Sequence, residues 1–325
     1  MTHLETLAGS VRLGVRGLGE FALDQPGCYH TLQRVAGRLF GGFVLAFHGI
    51  APDRFRELVV ALRPNEPVHL SVLIERAARG RRTDGLFAIT VDDGVAGNVG
   101  SIAEVARQLH WPVTFYLPTG YLDDRTGMPF QWLEQVFPYL PHTLIHSPFG
   151  DIDASTPAAR RACRASIDWT VKTQPARDCE PLINDLVRMA IENGWAIRED
   201  LTPPPPVTWE TVAELARDSV IRFESHGVSH TAVAALSAEA LERELVHSRT
   251  RVSEHTNRAC RHFCYPFGGP ESIGPSAPGL VARYYDSAVT MSRGRIGACN
   301  PRLLPRIPLY GSDTVAIARL KILTR

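Results

Sequence analysis

The stretch "LFAITVDDGVAGN", residues 86–98, decides the fold of this chain. It begins with a run of apolar and β-branched residues, which is typical of a short strand buried on both faces. Two adjacent carboxylates, Asp92 and Asp93, follow this run directly and precede Gly94. An Asp–Gly turn or a helix N-cap explains one acid but not two, because neighbouring buried carboxylates repel each other and lose hydration. The stretch therefore predicts a core strand that ends in a charged site.

Other stretches have the same form, a short apolar run that ends on polar or aromatic residues. They are "GGFVLAFHGI" (41–50), "PVTFYLPTG" (112–120), "SVIRFESHG" (219–227) and "RHFCYPFGG" (261–269). Between the runs, residues 98–111, 208–219 and 237–256 have apolar residues at helical spacing, with Asn98 and Ser237 as expected N-caps. Alternating strands and helices predict a parallel α/β sheet, and their repetition predicts a (β/α) barrel.

The composition is that of a globular protein without a strong net charge. The 325 residues include 35 Lys and Arg and 34 Asp and Glu, so the sequence predicts no nucleic-acid partner. No run of about 18 apolar residues occurs, which argues against a membrane span. The start "MTHLETLAGSVRLGVRG" lacks the apolar stretch of a signal peptide, and the six cysteines include no Cys-x-x-Cys pair. We therefore expect a cytoplasmic protein with reduced cysteines.

A pair of histidines follows another expected strand. The segment "SHGVSH" contains His226 and His230. Because the carboxyl ends of parallel strands meet at one edge of a sheet, both side chains are expected near Asp93. One carboxylate and two imidazoles suit Zn²⁺ or a similar divalent ion and leave positions open for water and substrate. Such an ion gives both acids a role, with Asp93 as a ligand and Asp92 as the acceptor of a proton from water.

A second histidine pair is an alternative metal site. The segment "HTLIHSPFGDID" contains His142 and His146, with Asp151 or Asp153 as a possible third ligand. No expected strand leads into this pair. It lies within residues 121–206, which break the alternation of strands and helices and predict a mostly helical insertion that closes with the stiff run "PPPP" (203–206).

Three motifs in this order, "TVDDG" (90–94), "SHGVSH" (225–230) and "YPFG" (265–268), resemble those of the polysaccharide deacetylase family, the NodB-homology enzymes similar to carbohydrate esterase family 4. The flanking stretches "WPVTFYLPTGYLDD", "YYDSAVTMSRG" and "LPRIPL" are also similar to the family, so the resemblance covers roughly residues 41–312. It implies a distorted (β/α) barrel with fewer than eight regular strands. We expect an N-terminal extension over 1–40 and a catalytic domain over 41–325, with the insertion at about 121–206.

The resemblance also implies roles for individual residues. Asp92 is the expected general base, and the expected metal ligands are Asp93, His226 and His230. The "YPFG" motif is expected to hold the oxyanion and bind substrate through Tyr265, Pro266 and Phe267, with the Tyr265 backbone N–H as the oxyanion donor.

The chain departs from the family pattern at three points. Val91 replaces the usual Phe before the acids, and no histidine follows His262, although many members have a catalytic His near the C-terminus. In some family members the order of the motifs is permuted, and this His lies on an N-terminal strand. The stretch "VLAFHGI" resembles that strand, so His48 is the candidate general acid. The alternative is a structural histidine at a strand end. The Arg often found before the third motif has no clear match, since Arg261 is out of register.

These inferences predict a metal-dependent hydrolase, most simply a Zn²⁺ enzyme, that removes N-acetyl groups from an amino sugar. The sugar is expected in a polysaccharide, an oligosaccharide or a lipid-linked glycan. Two alternatives are another linear or cyclic amidase on the same scaffold and a non-catalytic carbohydrate-binding homologue. The presence of Asp92, which metal binding alone does not need, argues against the non-catalytic alternative. Four aromatic side chains are candidates for stacking on a sugar, and the alternative for each is an ordinary core position. They are Tyr265, Phe267, Trp132 and Trp209. The oligomeric state stays open.

Overall fold

The computed structural model describes residues 26–294, 296 and 300–324. Its main sheet has eight strands, and each pairing within it is parallel. Along the path β10–β1–β3–β4–β7–β8–β9, β2 is attached to β3, and β5 pairs with β6 in a separate antiparallel hairpin. The strands are β1 Phe43–Phe47, β2 Glu66–Pro67, β3 Leu86–Val91, β4 Val113–Leu117, β5 Leu144–Ile145, β6 Ile152–Asp153, β7 Ile221–Ser225, β8 His262–Cys264, β9 Ser287–Val289 and β10 Ile307–Pro308.

Most of the α-helices follow strands and pack on the outer face of the sheet. They are α1 Pro26–Phe40, α2 Pro52–Val60, α3 Leu70–Ala78, α4 Ala96–Leu109, α5 Thr119–Asp124, α6 Pro129–Val136, α7 Pro157–Thr173, α8 Ala176–Glu192, α9 Trp209–Leu215, α10 Ala238–Thr256, α11 Pro270–Ile273, α12 Ala277–Val281 and α13 Val315–Leu323. Ser237 caps α10 as expected, since its side chain accepts from the Ala240 N–H. The N-cap prediction for Asn98 was wrong, because α4 begins at Ala96 and Asn98 lies in its first turn.

The sheet curls until its two ends nearly meet. β1 lies between β3 and β10, so that Leu45 is in register with both Ile89 and Ile307. At the other end, a parallel bridge joins Val289 of β9 to Leu304, just before β10. The five expected strands are all present, and β2 and β10 have only two residues each. The prediction of a distorted (β/α) barrel is confirmed.

Two layers of side chains stabilise the barrel. One set of strand residues packs outward against the helices, with Leu45, Ile89 and Phe115 in one continuous core. The alternating set packs together in a second cluster that includes Val44, Tyr116, Cys264 and Val289. This alternation follows from the period of two residues in a strand and fills the barrel with side chains. The interior is therefore occupied by side chains, and space for the expected site residues remains at the strand ends.

The segment between α5 and α9 has its own core. Residues from α6, α7 and α8, among them Leu133, Ile167 and Leu186, form a hydrophobic cluster separate from that of the barrel. The insertion expected at about 121–206 corresponds to this segment, residues 125–208, to which the name insertion refers from here on. In the extension, α1 packs on α13 through Tyr29 and Ala36. The remainder of the extension, residues 1–25, and Cys299 lie outside the described residues. None of the helices within the described ranges has both the length and the apolar character of a membrane span.

Candidate active site

The strands bring the expected site residues to one edge of the barrel. His48 follows β1, Asp92 and Asp93 follow β3, His226 follows β7, and the "YPFG" segment follows β8. These are the carboxyl ends of neighbouring parallel strands, where α/β folds build their sites. The site therefore arises from the strand order and joins residues that are far apart in the sequence.

Asp93, His226 and His230 form a compact group of possible metal ligands. Asp93 Oδ1 lies 3.4 Å from His230 Nε2 and 3.7 Å from His226 Nε2. His226 Nδ1 is hydrogen-bonded to the Cys264 carbonyl oxygen at 2.8 Å, which directs Nε2 towards Asp93. Burial lowers the pKa of His226 to about 4, so its imidazole is neutral near pH 7. One carboxylate and two neutral imidazoles fit a divalent ion such as Zn²⁺.

The backbone at these residues adopts an uncommon conformation. Asp93, His230 and Phe267 have φ angles of 73°, 55° and 60°, in the left-handed region that non-glycine residues seldom occupy. Each such residue costs about 1–3 kcal/mol and persists where the surrounding structure enforces it. Glu244 from α10 provides part of that support, because its Oε2 accepts the N–H groups of Val228 at 2.6 Å and Ser229 at 3.1 Å, just before His230.

Asp92 is bound by a residue that the sequence did not identify, Arg306. Both side chains are buried, and the Arg306 Nη1 and Nη2 atoms donate to Asp92 Oδ1 at 2.8 Å and Oδ2 at 2.7 Å. Arg306 Nη1 and Nε also donate to Thr90 Oγ1 and the Thr290 carbonyl oxygen, both at 3.0 Å. Burial raises the pKa of Asp92, but the charge and hydrogen bonds of Arg306 outweigh it, and the pKa lies well below its usual value.

Arg306 binds Asp92, whereas Arg261, the residue out of register with the arginine of the family pattern, lies elsewhere. Arg261 is more than half exposed and binds Asp286 at the surface. The available signal was the position of Arg306 in "LPRIPL", where a charged side chain stands inside an apolar, strand-like run. Such a charge needs a buried partner of opposite sign, but the sequence does not show which acid it meets.

His48 reaches the same carboxylate from the other side. Its Nε2 lies 3.5 Å from Asp92 Oδ2, and its side chain is 38 % exposed, so it borders both Asp92 and the cavity. Asn98, displaced from its expected capping position, donates to the His48 carbonyl oxygen at 3.4 Å. The expected acid and base are therefore adjacent.

The "YPFG" segment differs from the expectation in one respect. The Tyr265 N–H donates to the Val289 carbonyl oxygen at 3.2 Å within the sheet, and its buried hydroxyl donates to the Arg302 carbonyl oxygen at 3.0 Å. That N–H does not fit the expected oxyanion role, because it is already paired. Two residues on, past Pro266, the Phe267 N–H has no backbone or side-chain acceptor among the described residues. The ring centroid of Phe267 lies 4.8 Å from that of His230.

Cys264 is a second residue that the sequence did not select. Its Sγ lies 3.5 Å from Asp92 Oδ2 and 4.0 Å from His226 Nε2, so these residues form a second group at metal-binding distance. Burial raises the pKa of the Cys264 thiol well above its usual value, which disfavours the thiolate that a metal requires. Arg306 Nη2 also lies 3.1 Å from Sγ, so the group that contains Asp93 is the better candidate for a metal site.

The alternative histidine pair does not form a ligand group among the described residues. His146 Nδ1 lies 2.8 Å from Asp151 Oδ1 on the surface, and His142 is exposed. The expected stacking residue Trp209 instead donates to Asp123 Oδ1 at 2.7 Å and stacks on His255, and Trp132 packs on the core of the insertion. Neither tryptophan lines the cavity at the strand ends.

A cavity of about 230 Å³ lies above the catalytic residues. The barrel side of its wall includes His48, Asp92, Asp93 and Phe267, and the other side comes from the insertion. Residues on α6 and α7 line that second side, namely Phe130, Glu134, Arg164, Asp168 and Lys172. The insertion is therefore part of the site.

Comparison with solved structures shows a shared fold. The deacetylase PplD from Streptococcus pyogenes, solved with acetate, has a TM-score of 0.56 and 12 % identity, and the match covers 85 % of this chain and 96 % of that one. IcaB from Ammonifex degensii has a TM-score of 0.54 and 14 % identity, over 86 % and 97 % of the two chains. The polysaccharide deacetylase BC0361 from Bacillus cereus has a TM-score of 0.54 and 14 % identity, and the match covers 87 % of this chain and 69 % of that one.

Comparison of sequences identifies the family. No curated protein matches the chain significantly. The family model described as polysaccharide deacetylase matches residues 79–273, which is more than half of the chain. This range includes the two acids, both histidines and the "YPFG" segment. The family expected from the three motifs is therefore confirmed, and this chain belongs to the polysaccharide deacetylase family.

Proposed function

We propose that this protein removes N-acetyl groups from an amino sugar of a polysaccharide, oligosaccharide or lipid-linked glycan by metal-dependent hydrolysis. Family membership supports deacetylation of acetylated polysaccharides. The observation that carries the mechanism is the separation of the two neighbouring acids. Asp93 faces His226 and His230, whereas Asp92 faces Arg306 and His48. This separation supports a role for Asp93 as a cation ligand and for Asp92 as a proton acceptor.

Asp93, His226 and His230 would hold the divalent ion, for which Zn²⁺ is the best match to the ligand set. When bound, such an ion supplies Lewis acidity and makes water a better nucleophile near neutral pH. The hydrogen bond from His226 Nδ1 to a carbonyl oxygen keeps its other nitrogen available as a ligand.

Asp92 acts as the general base. Its low pKa keeps the carboxylate ionised, and the two hydrogen bonds from Arg306 hold both oxygens in fixed positions. Asp93 has a positive φ just before the turn at Gly94. The side chains of Asp92 and Asp93 therefore point to different partners. Asp92 can then take a proton from the attacking water while Asp93 stays engaged with the histidines.

Phe267 and His48 complete the reaction. The Phe267 N–H stabilises the oxyanion that forms when water adds to the amide carbonyl, a contribution of about 3 kcal/mol for one such donor. His48, next to Asp92, then donates a proton to the sugar nitrogen as the C–N bond breaks. Acetate and a free amino sugar are the products.

The test is acetate release from N-acetylglucosamine oligomers by the wild type and by Asp92→Asn. We expect the variant to lose at least about a thousandfold in kcat, because the base is gone, and to keep its metal content by elemental analysis. Asp151→Asn, which changes an exposed acid of the insertion, is the matched control and should keep the wild-type rate. Full activity in Asp92→Asn would contradict the mechanism.

Two parallel measurements separate the alternatives. A lipid-linked N-acetyl sugar and a cyclic imide, offered in the same assay, distinguish a sugar deacetylase from another amidase. A protein that binds the oligomers in a calorimeter but releases no acetate with Zn²⁺ present would be a non-catalytic homologue.

A further inference from the structure

We propose that Glu134 and Lys172 of the insertion determine substrate specificity, and that they select an uncharged N-acetyl sugar bound as a single residue at the strand ends. This inference rests on the proposed function and specifies its substrate class. It assigns the insertion a role that the barrel motifs do not provide, since none of those motifs lies within residues 125–208.

The insertion is in direct contact with the metal-ligand group. The ring centroid of Phe130, on α6, lies 5.0 Å from that of His230 and 6.3 Å from that of Phe267. The two phenylalanine rings meet edge to face, and together they form an apolar surface beside the ligands. Phe130 and Phe267 line the same cavity as Asp92, so a sugar whose acetamido group reaches Asp92 lies beside the insertion.

Four charged residues of the insertion line the cavity. Two of them form an ion pair with each other, and the other two have no charged partner among the described residues. Arg164 Nε donates to both carboxylate oxygens of Asp168 at 3.0 Å, so this pair is neutral. Among the described residues, no charged partner lies within ion-pair distance of Glu134 or Lys172. Both are exposed and line the cavity mouth, so they can bind a ligand without breaking an internal contact.

The charges on this side cancel. Glu134 and Asp168 balance Arg164 and Lys172, so this side of the cavity offers hydrogen-bond donors and acceptors without a net charge. A phosphate or uronate group would meet Glu134 and Asp168 as well as the cations, whereas sugar hydroxyls can donate to the carboxylate and accept from the ammonium. The arrangement therefore favours a neutral sugar over an anionic one.

The size of the cavity limits how much of a glycan it encloses. Its volume of about 230 Å³ lies below the range of roughly 300–1,000 Å³ for sites that enclose drug-sized ligands. One sugar ring fits this space better than two. We therefore expect the enzyme to act on a sugar at a chain end or on a short oligosaccharide, with further residues outside the cavity.

The experiment compares Glu134→Gln and Lys172→Met with control variants at exposed positions outside the cavity, Glu180→Gln and Arg161→Met. Acetate release is measured with N,N′-diacetylchitobiose and with a nucleotide diphosphate N-acetyl sugar. We expect the wild type to prefer the neutral substrate by at least about tenfold in kcat/KM. Both cavity variants should raise KM for the neutral substrate about tenfold, with kcat changed less than about threefold, because each loses a hydrogen bond to a charged group.

The preference between the neutral and the anionic substrate distinguishes a specificity role from a structural one. Glu134→Gln leaves an excess positive charge and should lower the ratio of kcat/KM for the neutral substrate to that for the nucleotide sugar. Lys172→Met leaves an excess negative charge and should raise this ratio. A structural role would not move the two variants in opposite directions. Equal KM values in all four variants, or a wild type that prefers the nucleotide sugar, would overturn the proposal.

A binding measurement separates this proposal from the proposed function. Calorimetry with N,N′-diacetylchitobiose is carried out in the Asp92→Asn background, where no turnover is expected. Weaker binding on changing Glu134 or Lys172, together with a wild type that releases no acetate, would leave the binding role intact and refute the deacetylase activity. Normal acetate release with unchanged binding would refute the binding role alone.

Discussion

The guanidinium of Arg306 holds both carboxylate oxygens of Asp92, at 2.8 and 2.7 Å, although 214 positions separate the two residues. Both side chains are almost fully excluded from solvent. The pair thus fixes the base in the interior of the barrel, between β3 and β10.

Replacing Arg306 by Met should reduce both activity and stability. The carboxylate of Asp92 would be left buried without its partner, and breaking a buried ion pair in this way costs about 3–5 kcal/mol. We expect kcat to fall by at least about a hundredfold and the midpoint of urea unfolding to decrease. Steady-state acetate release and equilibrium unfolding measure the two effects.

The double variant Arg306→Met, Asp92→Asn is the control for this prediction. It removes both charges, so it should recover most of the lost stability and none of the activity. If the double variant is as unstable as Arg306→Met, the loss does not arise from an unpaired Asp92.

Replacing His48 by Gln should slow the reaction without removing the metal. The side chain is partly exposed and contacts Asp92 without belonging to the ligand group, so kcat should fall by about 10²–10⁴-fold at unchanged metal content. His142→Gln, an exposed histidine outside the cavity, should keep the wild-type rate. An unaltered kcat in His48→Gln would contradict the assignment of His48 as general acid, but not that of Asp92 as general base.

Treatment with a chelator should abolish acetate release, and addition of Zn²⁺ should restore it. His226→Gln should lose most of its bound metal in elemental analysis, because one of the ligands is missing, whereas Asp92→Asn should keep it. Persistent activity of a preparation shown to be free of metal would exclude metal dependence.

Stability should decrease in mild acid through His262, which lies away from the ligand group. Burial lowers the pKa of His262 from 6.5 to about 4, and its Nδ1 is hydrogen-bonded to Ser287 Oγ at 2.8 Å. Between these values the unfolded chain binds the proton and the folded chain does not, so the contribution of His262 to stability falls as the pH drops from 6.5 to about 4, by about 3 kcal/mol.

Urea unfolding at pH 7 and pH 4.5 measures this effect. His262→Asn cannot take up the proton and should lose less stability over this range than the wild type, whereas His146→Asn, at an exposed position, should behave like the wild type. Equal acid sensitivity in all three proteins would show that other groups carry the pH dependence.

The strands and the residues at their ends could be predicted because local pattern determines them. Buried parallel strands appear as short apolar runs, and their carboxyl ends meet at one edge, so Asp93, His226 and His230 could be brought together without coordinates. The strand-end rule also places His48 at this edge, whereas its expected role as general acid came from the resemblance of "VLAFHGI" to the N-terminal strand of family members with a permuted motif order.

The remainder depends on register and side-chain reach, which sequence patterns do not contain. Arg306 meets Asp92 only because β10 pairs with β1, and Cys264 reaches the base only because its side chain points into the barrel. The paired amide of Tyr265 depends likewise on the alignment of β8 with β9. The charged residues on α6 and α7 belong to the site because of how the insertion packs.

The position of β1 between β3 and β10 has a consequence for how the protein matures. A chain leaves the ribosome from its N-terminus, so His48, Asp92 and the metal-ligand motifs are all made before Arg306 exists. Until the last barrel strand docks, Asp92 lacks the guanidinium that orients it. Translation that stops before Arg306 would therefore yield a polypeptide with every ligand motif and an unfixed base. The contact that fixes Asp92 thus depends on the part of the barrel that is synthesised last.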